Sequence, residues 1–358
     1  MSEATRAAEA SRATIAMQVA LAHLGATTIE QAILLWLRND PTPAQVEAWL
    51  DQTMELIFNQ RAISRELALA YFRLVRALHT GRTVPRPGEP VRTSVTLDEL
   101  RAEFRNLAEA VVPDDLSEEA QQHRDAQEDR EYDWTNDGEN LDIPIDSDAS
   151  DVLAEDPSGD DEADDRTEEI LVTVGPSYRD RKLQEIDPAR QAREVDQERA
   201  AISSIAAAQV AATVAYAAKD GARRAVEQAV ELDRAVQAWL RITGADPCAF
   251  CAMLASRGPV YKSAQNAGAN LEAGVEYHPN CNCTIVPAFT VQDWRADPAH
   301  ASAVEAEALW DEYKKSSFYA QTKNYDNAML NGWRRFLAAR KRATRSRGEE
   351  TAQEASAA

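Results

Sequence analysis

Cys248, Cys251, His278, Cys281 and Cys283 are the residues of this chain whose chemistry and spacing fit one another. The first two form a C-x2-C pair in DPCAFCAMLASRGPVY, and the other three crowd into YHPNCNCTIVPAF. All four cysteines of the 358-residue chain fall within 36 positions, which random placement would not produce. Zinc favours thiolate and imidazole in a tetrahedron, and a C-x2-C turn presents two sulfurs to one ion at about 2.3 Å. His278 and Cys281 can meet the same ion through the turn at Pro279 and Asn280. Cys283, two positions beyond Cys281 in an extended stretch, shares its face. Five candidates compete for four positions, so the fourth ligand beside Cys248, Cys251 and His278 is either Cys281 or Cys283.

The expected cofactor is therefore one structural zinc, weighed against three other uses of the same residues. Disulfides suit an even cysteine count but need an oxidising compartment, and the opening MSEATRAAEASRATIAM has no basic stretch followed by a long apolar one. A thioredoxin-like pair needs a strand–helix context around Cys248 that the sequence does not suggest. An iron–sulfur cluster has no accompanying redox signature. A catalytic zinc would keep an open position beside a carboxylate base; Glu276 is the one such neighbour, and no HExxH spacing accompanies it.

The elements that must position these residues read as mainly α. Hydrophobic residues make up 44% of the chain, but aromatics are only 6%, which favours alanine-rich helices over sandwiches of strands. Residues 1–112 read as a helical adaptor domain. A first helix carries Met17, Leu21 and Leu24 and stops near Gly25; a second starts from an N-cap at Thr27 or Thr28 and ends at Pro41 and Pro43. A third carries Trp49, Met54 and Ile57, and LALAYFRLVRALHTG is capped by Gly81. Thr96 and Glu99 form a capping box for the next helix.

The net charge of −21 resides in one stretch. Residues 113–169 hold 24 Asp or Glu against three Arg (Arg124, Arg130 and Arg166), so the remainder is neutral overall. Runs such as SGDDEADD offer too little apolar surface to offset their ordering entropy, and predict a disordered acidic linker. A long alanine-rich helical region follows over 170–244, with a helix from about Pro188 to Thr243 broken near Gly221. Its 19 uncharged residues from Ala200 to Ala218 match the length of a bilayer span, yet alanine gains little from lipid. They read instead as a small-residue face packed closely on another helix, and no membrane association is expected. The small α+β module at 245–290 holds the zinc, with CTIVPAF as a short strand ending at Pro287. C-terminal helices over 291–347 would pack on the alanine-rich helix through Trp310, Tyr313, Phe318, Tyr319, Trp333 and Phe336. Residues 348–358 complete the chain as a disordered tail.

The residues around the cysteines also resemble a known family. Asp246, Cys248 and Cys251, followed by His278, Pro279, Cys281 and Cys283, resemble the D-x-C-x-x-C and H-P-x-C-x-C segments of Mu protein F-like (MuF-like) minor head proteins of tailed bacteriophages. Arg257, Gly258, Pro259 and Tyr261 are similar to the versions in actinobacterial phages. The resemblance covers about residues 235 to 290. It implies a minor capsid protein of head morphogenesis, associated with the portal and working with the major capsid and scaffold proteins in head assembly or in DNA packaging and ejection. Its place would be the virion head interior, and the bacterial host cytoplasm during assembly. A capsid maturation protease is the alternative, since such proteins are encoded near portals. No GxSxG elbow occurs, and His23, His79, His123 and His300 have no evident triad partners in the sequence.

A second candidate site is electrostatic. Arg334, Arg335, Arg340, Lys341, Arg342, Arg345 and Arg347 place seven positive charges within 14 residues, with no acid among them. Such a patch can hold phosphates without sequence preference, which would suit contact with packaged DNA. The competing readings are a solvated helix end and a latch for the acidic linker.

Overall fold

The computed structural model describes residues 1–42, 45–90, 92–111, 140–153, 161–187, 189–244, 247–261, 283–292, 294–321 and 328–357. They are mainly helical and divide into two units, Met1–Gln237 and Ala238–Tyr261 with Cys283–Ala358.

The first unit is organised by three long helices, α1 (Glu3–Asn39), α2 (Val46–Thr80) and α6 (Ala192–Leu232), packed on one another. Ser2 caps α1 by accepting from Thr5 N at 3.2 Å. Its buried stripe runs through Ala13, Met17, Leu21, Leu24, Ala32 and Trp36 at helical spacing. The stop expected near Gly25 does not occur. Thr28, read as an N-cap, lies within the helix and donates to Leu24 O at 2.6 Å. The α1 helix ends before Pro41, where Asp40 takes a left-handed φ of 41° and donates its N–H to Trp36 O. Gly81, with φ 71°, ends α2 as its sequence position indicates. Thr96 and Glu99 complete the capping box of α3 (Leu97–Ala110).

The break expected at Gly221 is likewise absent, for a reason of packing. A Cβ there would fall far inside contact distance of the Arg61 carbonyl oxygen and 2.8 Å from Ser64 Oγ. The glycine thus permits a close approach of α6 to α2, and the helix runs unbroken through it. Ser64 uses that proximity: its hydroxyl donates to Ala218 O at 2.6 Å and accepts from Ala222 N at 3.2 Å. Alongside, Trp36, Trp49, Met54, Ile57, Leu171, Val210 and Val214 form a core in which the two tryptophans meet edge to face at 5.8 Å. By length and composition α1 and α6 could each cross a membrane; here both turn an apolar face into this bundle.

The acidic stretch is in part a component of the same unit. Of the linker expected over 113–169, residues 113–139 and 154–160 lie outside the described residues, and the rest takes regular structure. Strand β2 (Asp142–Pro144) pairs antiparallel with β1 (Ser94–Thr96), Val95 opposite Ile143. A 3-10 turn (Ser147–Val152) and helix α4 (Asp161–Val172) follow, burying Ile143, Val152, Leu153 and Leu171. A π-helical turn (Thr173–Ser177) leads into α5 (Tyr178–Gln184). Individual acids meet buried arginines of α2. Arg61 pairs with Asp164 at 2.7 Å, and Arg76 with Asp146 at 3.1 Å and Asp233 at 2.7 Å. Composition predicts self-repulsion, but such pairing offsets both the acid's charge and the arginine's burial.

In the second unit the helix expected to reach Thr243 has already ended. The α6 helix stops at Leu232, Asp233 turns the chain by accepting from Ala235 N at 2.9 Å, and Ala238–Ile242 is strand β3. It pairs antiparallel with β4 (Thr284–Ala288), Leu240 opposite Val286. The strand expected in CTIVPAF is therefore present, one residue longer than its expected end at Pro287. Helices α7 (Ala249–Ala255), α8 (Ala301–Lys315), α9 (Ser317–Ala320) and α10 (Ala328–Ala357) complete this unit. The C-terminal aromatics pack among themselves and on α7. The α10 backbone continues through the expected tail to Ala357, consistent with its Ala, Glu and Gln content.

Two glycine substitutions separate these packing roles. Gly221→Ala is expected to lower unfolding stability by about 1–3 kcal/mol through overpacking. Gly25→Ala, whose Cβ would meet only the flexible Lys219 side chain at 3.4 Å, is expected to leave stability unchanged or raise it by up to about 1 kcal/mol. Urea denaturation followed by circular dichroism distinguishes them; equal effects would contradict the close approach.

Candidate metal centre

The C-x2-C pair sits at the start of α7. Cys248 is its N-cap: the sulfur accepts from Cys251 N at 3.2 Å and the carbonyl from Ala252 N at 2.9 Å. This bend keeps Cys248 half-buried at the entrance of the turn and places Cys251 inside, 1% exposed. Cys283 is buried immediately before β4, whose first residue Thr284 pairs with Ile242 at the end of β3. Among the described residues no disulfide joins them. His278 and Cys281, with Glu276, lie outside the described residues. Among the described residues no three His, Cys, Asp or Glu side chains form a group that could hold a metal. The described residues thus hold the C-x2-C turn with its N–H···S bond and, immediately before β4, a third cysteine.

Several contacts hold α7 in place. Trp333 Nε1 donates to Ala249 O at 2.7 Å at its first turn, and Tyr261 OH donates to Leu254 O at 2.9 Å near its end. Trp333 itself is wedged among Trp310, Tyr313 and Phe336, with ring centroids 5.0–5.6 Å away. The C-terminal aromatics are therefore core, and their packing supports the cysteine helix. The RGPVY run braces the other side. Gly258 adopts φ 67° where a Cβ would meet the Trp294 ring at 2.6 Å, so both conformation and space require glycine. Tyr261 O accepts from Trp239 N at 3.0 Å, and the two rings lie 4.8 Å apart. Burial pushes the Tyr261 phenol up to about 12, against the opposing pull of Arg257 and Arg241.

Arg241 is the residue that the sequence reading missed. It is 2% exposed in the middle of β3, and its guanidinium donates to Cys251 Sγ at 3.6 Å. The signal was present: a single charge inside the apolar run AWLRI.

The basic stretch lies on α10. Trp333, Phe336 and Leu337 face the aromatic cluster, while Arg334, Arg335, Arg340, Lys341 and Arg342 are exposed. Arg340 pairs with Glu312, and Arg334 donates to Asn331 Oδ1 at 3.1 Å. Arg345 and Arg347 continue the same helix, beyond the described side chains. Of the histidines, His300 sits in a 3-10 turn with Nδ1 2.9 Å from Trp294 O, a structural contact.

Comparison with known proteins places this chain beside proteins of phages. A profile of the family described as VG15 protein matches residues 173–332. The Gene 15 protein of Mycobacterium phage L5 is 33% identical over 199 residues, covering 44% of this chain and 65% of the relative. The Gene 15 protein of Mycobacterium phage D29 is 32% identical over 190 residues, covering 43% and 66%. The chain thus spans just under two thirds of the length of these relatives. No solved structure matches it.

The aromatic support of α7 can be tested through the thiols. Trp333→Phe keeps the ring packing but removes the bond to Ala249 O, and should cost about 0.5–1.5 kcal/mol. Cys251 should then react faster with a thiol reagent than in the parent protein. Unchanged melting and unchanged labelling would show that the bond does not hold the helix.

Proposed function

We propose that this chain is a minor head protein of a tailed phage, of the MuF-like kind, acting with the portal and the major capsid and scaffold proteins in head assembly or DNA packaging and ejection. The observation that carries this reading is the similarity to the mycobacteriophage Gene 15 proteins, with a family match that spans the cysteine motifs. The architecture agrees with an assembly role: a helical bundle and a small α+β unit whose cysteines we read as structural. In this proposal one zinc, held by Cys248, Cys251, His278 and either Cys281 or Cys283, ties the cysteine-bearing segments together. Cys248 and Cys251 supply the preformed half of that site, and Arg334, Arg335, Arg340, Lys341 and Arg342 offer an exposed face to packaged DNA.

Gradient-purified virions of the encoding phage, examined by quantitative mass spectrometry, should contain this chain at low copy relative to the major capsid protein. Particles lacking it, formed normally by a phage deleted for the gene, would remove the head-protein reading. The DNA contact is tested with the full-length protein and a variant carrying alanine at the five exposed cations. Affinity for duplex DNA should fall steeply with salt in the parent, with a slope near −0.9 per phosphate contacted. The variant should have a clearly shallower slope; equal slopes would discard the proposed face.

A further inference from the structure

No acid lies among the cations of residues 334–347 in the sequence, but the fold brings one to them. Tyr313 of α8 is buried in the aromatic cluster, its ring 5.3 Å from Trp333 and 5.7 Å from Phe336 of α10 between centroids. Its neighbour in the chain, Glu312, is exposed, and its carboxylate meets the guanidinium of Arg340. Arg340 follows Phe336 by four residues, one turn further along α10. The packing of the two aromatic-bearing helices therefore sets a carboxylate against the middle of the basic face.

The two side chains are 51% and 52% exposed, so the pair is open to competing ions. Water and salt screen such a pair, and its strength is small. Around it the cations outnumber the acids. Arg334, Arg335, Lys341 and Arg342 are exposed on α10; at the end of α8, Lys314 pairs with Asp311 at 2.6 Å and Lys315 is exposed beside it. A phosphate reaching this face is drawn by those cations, is repelled by Glu312, and must replace its carboxylate to bind Arg340. We infer that Glu312 is a built-in counter-ion of the basic face, competing with phosphate for Arg340 and so holding down the affinity of this face for duplex DNA. This rests on the DNA reading of the proposed function and deepens it: Arg340 is given up only to a dense array of phosphates, which a duplex supplies at one charge per ~1.7 Å of its axis.

The test measures binding of a labelled mixed-sequence duplex to the full-length protein by fluorescence anisotropy over a salt series. Glu312→Gln should bind about two- to fivefold more tightly than the parent, the range that half-exposed ion pairs support. Its affinity should also fall more steeply with salt, by up to about 0.9 in slope, because Arg340 becomes one more phosphate contact. Glu305→Gln, an equal charge change two turns earlier on the exposed side of α8, should gain less. In an Arg340→Ala background the two glutamine substitutions should gain equally. If Glu312→Gln only matches Glu305→Gln in the parent background, or keeps its extra gain without Arg340, Glu312 does not compete for that cation; the inference falls and the DNA reading stands. Weaker binding by Glu312→Gln overturns it as well, since the pair would then be positioning Arg340 for phosphate. A parent protein that binds no duplex overturns both, and the fault then lies with the DNA reading.

Discussion

Ser64 stands at a rung of the α6 hydrogen-bond ladder. Its hydroxyl touches both the carbonyl of Ala218 and the N–H of Ala222, and it can do so only because residue 221 has no side chain. The two helix backbones are thereby drawn together, and much of the first unit follows from the position this gives α2. Arg61, one turn before Ser64, then reaches Asp164 on α4. Further along, Arg76 reaches Asp233 just past the end of α6 and Asp146 beside β2. A small-residue contact thus locates the helices, and buried charge pairs, which demand good geometry to be tolerated at all, attach the acidic segments in one arrangement.

The second unit relies on a different device. Among the described residues its sheet has two strands, too few for independent stability, and the aromatics of α8, α9 and α10 provide the bulk. The short α7 is held near both ends by side-chain donors, Trp333 at Ala249 and Tyr261 at Leu254, and from the side by Arg241. The cysteine turn is therefore arranged by residues distant in the chain.

What the sequence made legible was local. The Thr96–Glu99 capping box, the Gly81 cap and the CTIVPAF strand are each decided by a few adjacent residues, and each is present. Gly25 and Gly221 misled because glycine is read by its weak helix propensity, while its use in a close interhelical contact depends on a partner far away in sequence. Over residues 140–153 and 161–169 the acidic composition misled because it averages over residues: it hides an Asp146 or Asp164 that meets one buried arginine. AWLRI continued an apolar helical pattern until its pairing with TIVPA decided otherwise, as short apolar runs permit. At the candidate site the cysteines were legible by spacing. Arg241 was not, since only the fold brings it to sulfur.

The pairing of β1 with β2 has a topological consequence. Leu97 N donates to Leu141 O at 2.8 Å, so the chain on the far side of α3 pairs beside the start of that helix. The bundle draws α1 and α2 from before residue 112 and α6 from after residue 139. A single peptide cleavage between those two positions would therefore yield two polypeptides that share one hydrophobic core and a strand pair. They would remain a noncovalent heterodimer under native conditions and part only when denatured. Proteolytic processing there would change the covalent state of the protein while leaving its bundle assembled.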